Sequence, residues 1–304
     1  MTYTLNLNET QINTLINKYQ SYQVSDNNNY TLFRAKIKSS TLTIYTTNKI
    51  LIQGNNCFDL YQEICECINI EMEFENKKIE LESVNIGQTI IGTDEVGTGD
   101  YFGGIVVCAS CVPNDKILEL TKLGIKDSKM IDDKKILELG EYLIKNINHS
   151  VLLLNNEKYN KIVVDPNINL NKIKAVLHNK VIQSFILKYP NTNYDNIIID
   201  GFCTKEKYFE YLSGKKDVIN NVDLIQKAEN KYISVAVSSI IARYYFLKHL
   251  DELSLKYGYS LLKGASSKVD QLIKKIVKEK GIDYLYNFAK INFKNTRKGI
   301  GNDD

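Results

Sequence analysis

At 304 residues, with 43% hydrophobic and 25% charged side chains, the chain is long enough for two domains and has the composition of a globular protein. The 39 Lys and Arg residues against 36 Asp and Glu leave a net charge of +3, so total charge does not announce a nucleic-acid binder and any cationic surface has to be local. The six cysteines do not suggest a disulfide framework, no apolar run is long enough for a membrane-spanning helix, and the start shows no signal-peptide pattern; the cytoplasm is the expected compartment.

Residues 9–20 space Ile12, Leu15, Ile16 and Tyr19 as a helix does, and the polar run at 26–29 reads as a turn. Three alternating runs follow at 30–38, 41–46 and 49–53, and helical spacing returns over 58–70 with Tyr61, Ile64, Cys65 and Ile68. Helix, three strands and helix make a small α+β domain, placed at residues 1–75. Its charge is segregated: residues 27–58 hold no Asp or Glu but carry Arg34, Lys36, Lys38 and Lys49. Period-two alternation puts Arg34, Lys36 and Lys38 on one sheet face, with Thr41, Thr43 and Tyr45 together on the next strand. Such a face suits a phosphate backbone. A solvated sheet surface fits the same pattern. A charged stretch follows, and 76–88 is read as the linker.

Residues 89–304 read as a larger α/β unit. The apolar pair Ile90 and Ile91 leads into Asp94 and Glu95; Gly97 and Gly99 suit a tight connection to a second buried strand over 103–112. Phe102 stands where a dinucleotide-binding fingerprint would need its third glycine, and a β-rich segment follows instead of a helix. Helical patterns at 117–123 and 132–147 precede a buried strand at 151–154 and a helix at 171–189. A short strand at 196–201 ends in Asp200 and Gly201, and one at 223–226 leads to Glu229. Helices over 233–255 and 269–277 follow. Cys108 and Cys111 are expected on opposite faces of their strand as buried thiols, and His178 reads as a structural residue.

Two adjacent carboxylates in a half-buried place repel unless a cation or a shared proton relieves them. Asp94 with Glu95, Asp200 and Glu229 each follow an apolar β-like run, the way an α/β sheet presents ligands along one edge. Carboxylates without a histidine partner favour Mg²⁺ or Mn²⁺ over zinc. Such sites commonly hold two metals and drive attack of water on a phosphodiester. Neighbours on a regular strand point to opposite faces, so Asp94 and Glu95 both reach one cluster only if the strand bends or one supplies its backbone carbonyl.

The segments DEVGTGDYFG (94–103), KDSK (126–129), LHN (177–179), IIDGF (198–202), KAENK with SVAVSSIIAR (227–243) and FKNT (293–296) resemble ribonuclease HIII. The resemblance implies a ribonuclease H-like domain, a mixed sheet flanked by helices, at 89–304, preceded by a TATA-binding-protein-like domain. It implies endonucleolytic cleavage of the RNA strand of RNA–DNA hybrids with Mg²⁺ or Mn²⁺, held by Asp94, Glu95, Asp200 and Glu229. The sister family, ribonuclease HII, has Asp at the position of Glu229. Gly97, Thr98 and Gly99 match the loop that grips the hybrid near the 2′-OH; the sister family usually carries a basic residue where Thr98 stands. Ser128 and Lys129 match a phosphate contact or cap the next helix, and Arg243 is a substrate contact or a core-edge ion pair. Gly104, Ser238 and Asn292 depart from the commoner residues without touching the carboxylates. A ribonuclease HII-like cutter at embedded ribonucleotides and a silent hybrid-binding protein are the alternatives; no obligatory protein partner is evident.

Overall fold

The computed structural model describes residues 2–26, 28–54, 57–68, 70, 88–125 and 131–301, and the chain divides into two compact units, Met1–Glu80 and Leu81–Asp304. Apart from Gln88, the expected linker at 76–88 lies outside the described residues.

The first unit runs β1 (Thr2–Asn6), α1 (Glu9–Tyr19), β2 (Thr31–Ile37), β3 (Ser40–Tyr45), β4 (Lys49–Gly54) and α2 (Cys57–Cys67). Helix α1 begins at Asn8 because a reciprocal cap satisfies two terminal N–H groups. The Asn8 side chain accepts from Gln11 N–H at 2.9 Å, and Gln11 Oε1 accepts from Asn8 N–H at 3.0 Å. The sheet is antiparallel in the order β1-β4-β3-β2. The sequence reading has three strands here, and β1 corrects it. Five residues are too short a run to show alternation by themselves, but pairing Leu5 with Ile50 carries Leu5 into the core. That core joins Phe33, Ala35, Leu42, Ile44, Ile50 and Ile52 to Leu15, Tyr61 and Ile64 of the two helices.

The opposite face carries Arg34 and Lys36, paired in register with Thr43 and Thr41. Lys38 does not join them. It lies in the tight turn between Ile37 and Ser40, which are paired with each other, and takes a left-handed φ of 53° to close it. From there it helps Lys18 hold the carboxyl of Glu63, on α2, below the usual carboxylate range. The basic face therefore keeps two of its three expected cations.

The second unit is built on a five-stranded mixed sheet, ordered β7 (Asn148–Leu154), β6 (Ile105–Cys111), β5 (Ile90–Val96), β8 (Asn196–Asp200), β9 (Asp223–Ile225). β5 runs antiparallel to β6 and parallel to β8. The helices are α3 (Asn114–Lys122), α4 (Asp133–Asn146), α5 (Asn156–Val163), α6 (Leu170–Lys188), α7 (Lys205–Leu212), α8 (Ile233–Tyr257), α9 (Ser267–Lys280) and α10 (Lys294–Gly299). One face of the sheet packs on α8, with Val106 and Cys108 against Val237, Ile240 and Ile241. The other packs on α6 and α7, with Val107, Ala109 and Cys111 among Val181, Ile182 and Tyr208. Both cysteines are buried thiols facing opposite ways. Helix α8 comes so close to β5 that a Cβ at Gly92 would sit 2.3 Å from the Val235 nitrogen. Only glycine allows that approach.

Candidate active site

The β5–β6 ladder keeps register from Ile91↔Cys111 to Val96↔Val106, so the strand does not bend at the acidic pair. Asp94 turns to the α8 side and meets Ser239, while Glu95 turns to α6. They need no bend to meet, because at this end of the strand both border the same cleft and Glu95 lies close enough to act on both Asp94 and Asp200. Asp94 is buried, and its Oδ1 accepts from the Glu95 N–H at 2.7 Å. Burial drives its carboxyl well above the usual carboxylate range, and the charges of Glu95 and Asp200 add to that.

Glu95 has the opposite electrostatics. Lys174 Nζ lies 2.5 Å from Oε1 and His178 Nε2 lies 2.9 Å from Oε2. Burial would raise the Glu95 carboxyl, but the His178 hydrogen bond and the Lys174 ammonium outweigh it and hold the carboxyl below its usual range. A carboxylate only accepts, so the His178 proton that faces it sits on Nε2, and Nδ1 lies in hydrogen-bond contact with the Thr93 hydroxyl at 2.8 Å. Lys174 and His178 are four residues apart on α6 and so share one helix face.

Asp200 ends β8, next to β5. Its Oδ1 accepts from the Ala228 N–H at 2.9 Å, and its other neighbour is Glu229, fully buried on the 3₁₀ turn Ala228–Asn230. Burial pushes Asp200 up to about 6 against the Ala228 hydrogen bond, and a hydrogen bond shared with Glu229 reinforces the rise.

Asp94, Glu95, Gly97, Thr98, Gly99, Asp200, Ser239 and Arg243 line one cleft. Gly97 has a φ of +98°, and a Cβ there would meet the Gly104 carbonyl at 2.3 Å. The loop that follows is braced from below. Lys290, fully buried, donates from Nζ to the carbonyls of Asp100 at 2.7 Å and Gly103 at 2.6 Å. Arg243, although it borders the cleft, gives its guanidinium to the Ile131 carbonyl at 3.0 Å and to Asp133 at 2.8 Å. Arg34 and Lys36 belong to the first unit, where Arg34 is 3.4 Å from Asp26. Ser128 and Lys129 lie outside the described residues.

Sequence reasoning missed Lys174 as a site residue and took His178 as structural. The available signal was a cation and a histidine at i and i+4 on a helix face that continues through Val181, Ile182 and Phe185. As the side chains stand, no three His, Cys, Asp or Glu among the described residues converge tightly enough to hold a metal ion. The donor set nevertheless fits a hard divalent cation: every acid offers oxygen, Glu95 and Asp200 disfavour the charge on Asp94, and Glu229 and Glu95 disfavour the charge on Asp200.

The sequence model of the family described as Ribonuclease HII matches residues 91–296, and one described as a domain of unknown function matches residues 2–60. Ribonuclease HIII of Lactococcus lactis subsp. cremoris is 35% identical over 301 residues, covering 99% of this chain and 98% of that protein. Ribonuclease HIII of Streptococcus agalactiae serotype Ia is 40% identical over 280 residues, 91% of each chain. The chain belongs to the ribonuclease HIII family. It is an endoribonuclease that hydrolyses the RNA strand of RNA–DNA hybrids. The match to the ribonuclease HII model stays within the second unit, whereas the ribonuclease HIII relatives run nearly the full length. The crystal structure of Bst-RNase HIII in complex with Mn²⁺ superposes with a TM-score of 0.68 at 32% identity, covering 99% of this chain and 98% of that one. Both units of this chain are thus within the fold of the family: along the chain, a small α+β unit and then a mixed sheet flanked by helices.

Proposed function

We propose that Asp94, Glu95, Asp200 and Glu229 are the metal-binding acids at which this chain cuts its substrate. The observation that carries the reading is that Asp94 and Asp200 come from adjacent strands into one cleft, and both carboxyls are held above the ordinary range by burial and by neighbouring acids. Mg²⁺ or Mn²⁺ held there would neutralise the acids and supply an activated water and an electrophile for the scissile phosphate; the Bst-RNase HIII structure is a complex with Mn²⁺. Asp94 and Asp200, which lie on adjacent strands, would hold such a cation. Ser239 and the Ala228 N–H orient those two carboxylates. The Gly97–Gly99 turn, at the mouth of the same cleft, presents backbone N–H groups and the Thr98 hydroxyl to the hybrid's sugar-phosphate edge.

In the first unit, Arg34 and Lys36, beside Thr43 and Thr41, form the face that meets phosphates. None of the six cysteines is joined in a disulfide, as suits a reducing compartment, and the cytoplasm is the one we assign. No protein partner enters the reaction we propose.

The test is one assay with three duplexes: an RNA–DNA hybrid, DNA with one embedded ribonucleotide, and double-stranded RNA, each with Mg²⁺ and with Mn²⁺. Cleavage within the hybrid's ribonucleotide run and weak action on the other two is expected. Equal nicking of the lone ribonucleotide would move the specificity to the ribonuclease HII type.

A further inference from the structure

We propose that Lys174 is the built-in counter-cation of the acid cluster, a positioning residue that orients Glu95 and competes with a divalent ion for its carboxylate. The proposal rests on reading the four acids as the metal centre and adds which residue sets its affinity. Lys174 is held in place from several sides. Its Nζ stands 2.5 Å from Glu95 Oε1 and 4.2 Å from the centroid of the Phe202 ring, and its side chain is only 12% exposed. A lysine on the surface loses such a partner to water; one seated over an aromatic face and mostly out of solvent keeps it.

The carboxylate is held as firmly from its other oxygen. His178 stacks on the same Phe202 ring at 5.5 Å, takes Oε2 of Glu95 and is itself fixed by Thr93. Glu95 therefore has one rotamer's worth of partners in the absence of a metal, although each oxygen keeps a lone pair. An ion that approaches Glu95 has to share the carboxylate with an ammonium in contact with it, and at that distance two cations repel strongly in a half-buried setting. The arrangement gives the cluster a positive charge before any divalent ion arrives. It also weakens binding at Glu95 relative to the Asp94 side, where Ser239 faces the carboxyl and Arg243 is turned to the Ile131 carbonyl and Asp133.

The experiment measures Mn²⁺ binding to the full chain without substrate, by calorimetry and by the electron paramagnetic resonance of free Mn²⁺. Four proteins are compared: wild type, Lys174→Met, Lys174→Gln as a second neutral variant, and Lys174→Arg to keep the charge. The neutral variants are expected to bind Mn²⁺ roughly tenfold more tightly, and Lys174→Arg to stay near wild type. In EDTA the neutral variants should melt below wild type, and saturating Mn²⁺ should close that gap. Unchanged or weaker Mn²⁺ binding in both neutral variants, with wild type binding normally, overturns the role of Lys174 alone. Failure of the wild-type protein to bind Mn²⁺ at all overturns the metal-centre reading and the proposal together.

Discussion

Asp94 is the residue at which function and stability pull apart. It is buried, its neighbours are like charges, and without a cation every one of those facts destabilises the folded state. Asp94→Asn keeps the shape and removes the charge. In EDTA the variant is expected to melt at or above the wild-type temperature, while cleavage falls by about a thousandfold or more, because an amide is a poor ligand for a hard dication. Near wild-type cleavage would remove Asp94 from the site. Lys290 is a second buried charge, outside the acids. Burial lowers it to about 7, far below an exposed lysine. Below pH 7 both folded and unfolded chains carry its proton, and folding bears the full cost of burying it. Above pH 7 the folded chain releases the proton while the unfolded chain keeps it to about 10.4, so this group makes stability rise with pH across that window, by up to about 1.4 kcal/mol per unit. Burial of Cys108 acts in the other direction, so the comparison has to be with a variant. Denaturant titrations from pH 7 to 8.5 should show wild type gaining stability relative to Lys290→Met; parallel curves would mean the lysine stays charged in the fold. None of this was visible at Lys290 in the sequence, because a lysine among Ala289, Ile291 and Phe293 reads as a solvent-facing residue until the Asp100 and Gly103 carbonyls are found above it.

At the scale of elements, the contact between α8 and β5 fixes the distance between Asp94 and the helix that carries Ser239. Ser238 pins it with hydrogen bonds to the Gly92 carbonyl at 2.7 Å and to Ser110 at 2.9 Å. Gly92→Ala pushes a methyl into the Val235 backbone, which cannot rotate away, and is expected to cost about 3 kcal/mol in chemical denaturation of the full chain. A variant with the wild-type midpoint would show that α8 is free to slide. Most such elements were legible because their patterns are long: α6 and α8 announce themselves over several turns, and β6 by a continuous apolar run. α5 and α7 were not, since each is eight residues long and polar on most of its surface. β1 was hidden by its length, and its partner β4 lies more than forty residues along the chain. The acids were legible for a local reason, a carboxylate pair before a glycine turn. Their partners Lys174 and His178 come from a helix some eighty residues away, and only the sheet brings them to Glu95.

Across the whole molecule a net charge of +3 conceals an uneven distribution. Residues 1–75 contain five basic and eight acidic side chains, so the first unit as a whole repels phosphate, and only a one-sided arrangement lets it bind. The structure provides one for the described residues: Arg34 and Lys36 occupy the open sheet face, while Glu63 is on α2, on the covered side, where Lys18 and Lys38 attend to it. Arg34 has a competitor in Asp26, 3.4 Å away; the Arg34 side chain is 40% exposed and that of Asp26 16%, so a phosphate reaches Arg34 from its open side and shares it with Asp26. The turn that removes Lys38 from the face turns a three-residue expectation into a sharper one. Replacing Arg34 and Lys36 with Ala should reduce the slope of log K against log salt for hybrid binding by about 1.4–1.8 units, at 0.7–0.9 for each phosphate contact. Turnover at saturating hybrid should remain near wild type, because the acids belong to the other unit. Lys38→Ala should leave the slope where it was. If instead the double variant keeps the wild-type slope, the face is a solvated surface; if Lys38→Ala alone flattens it, the hybrid meets the turn and not the sheet.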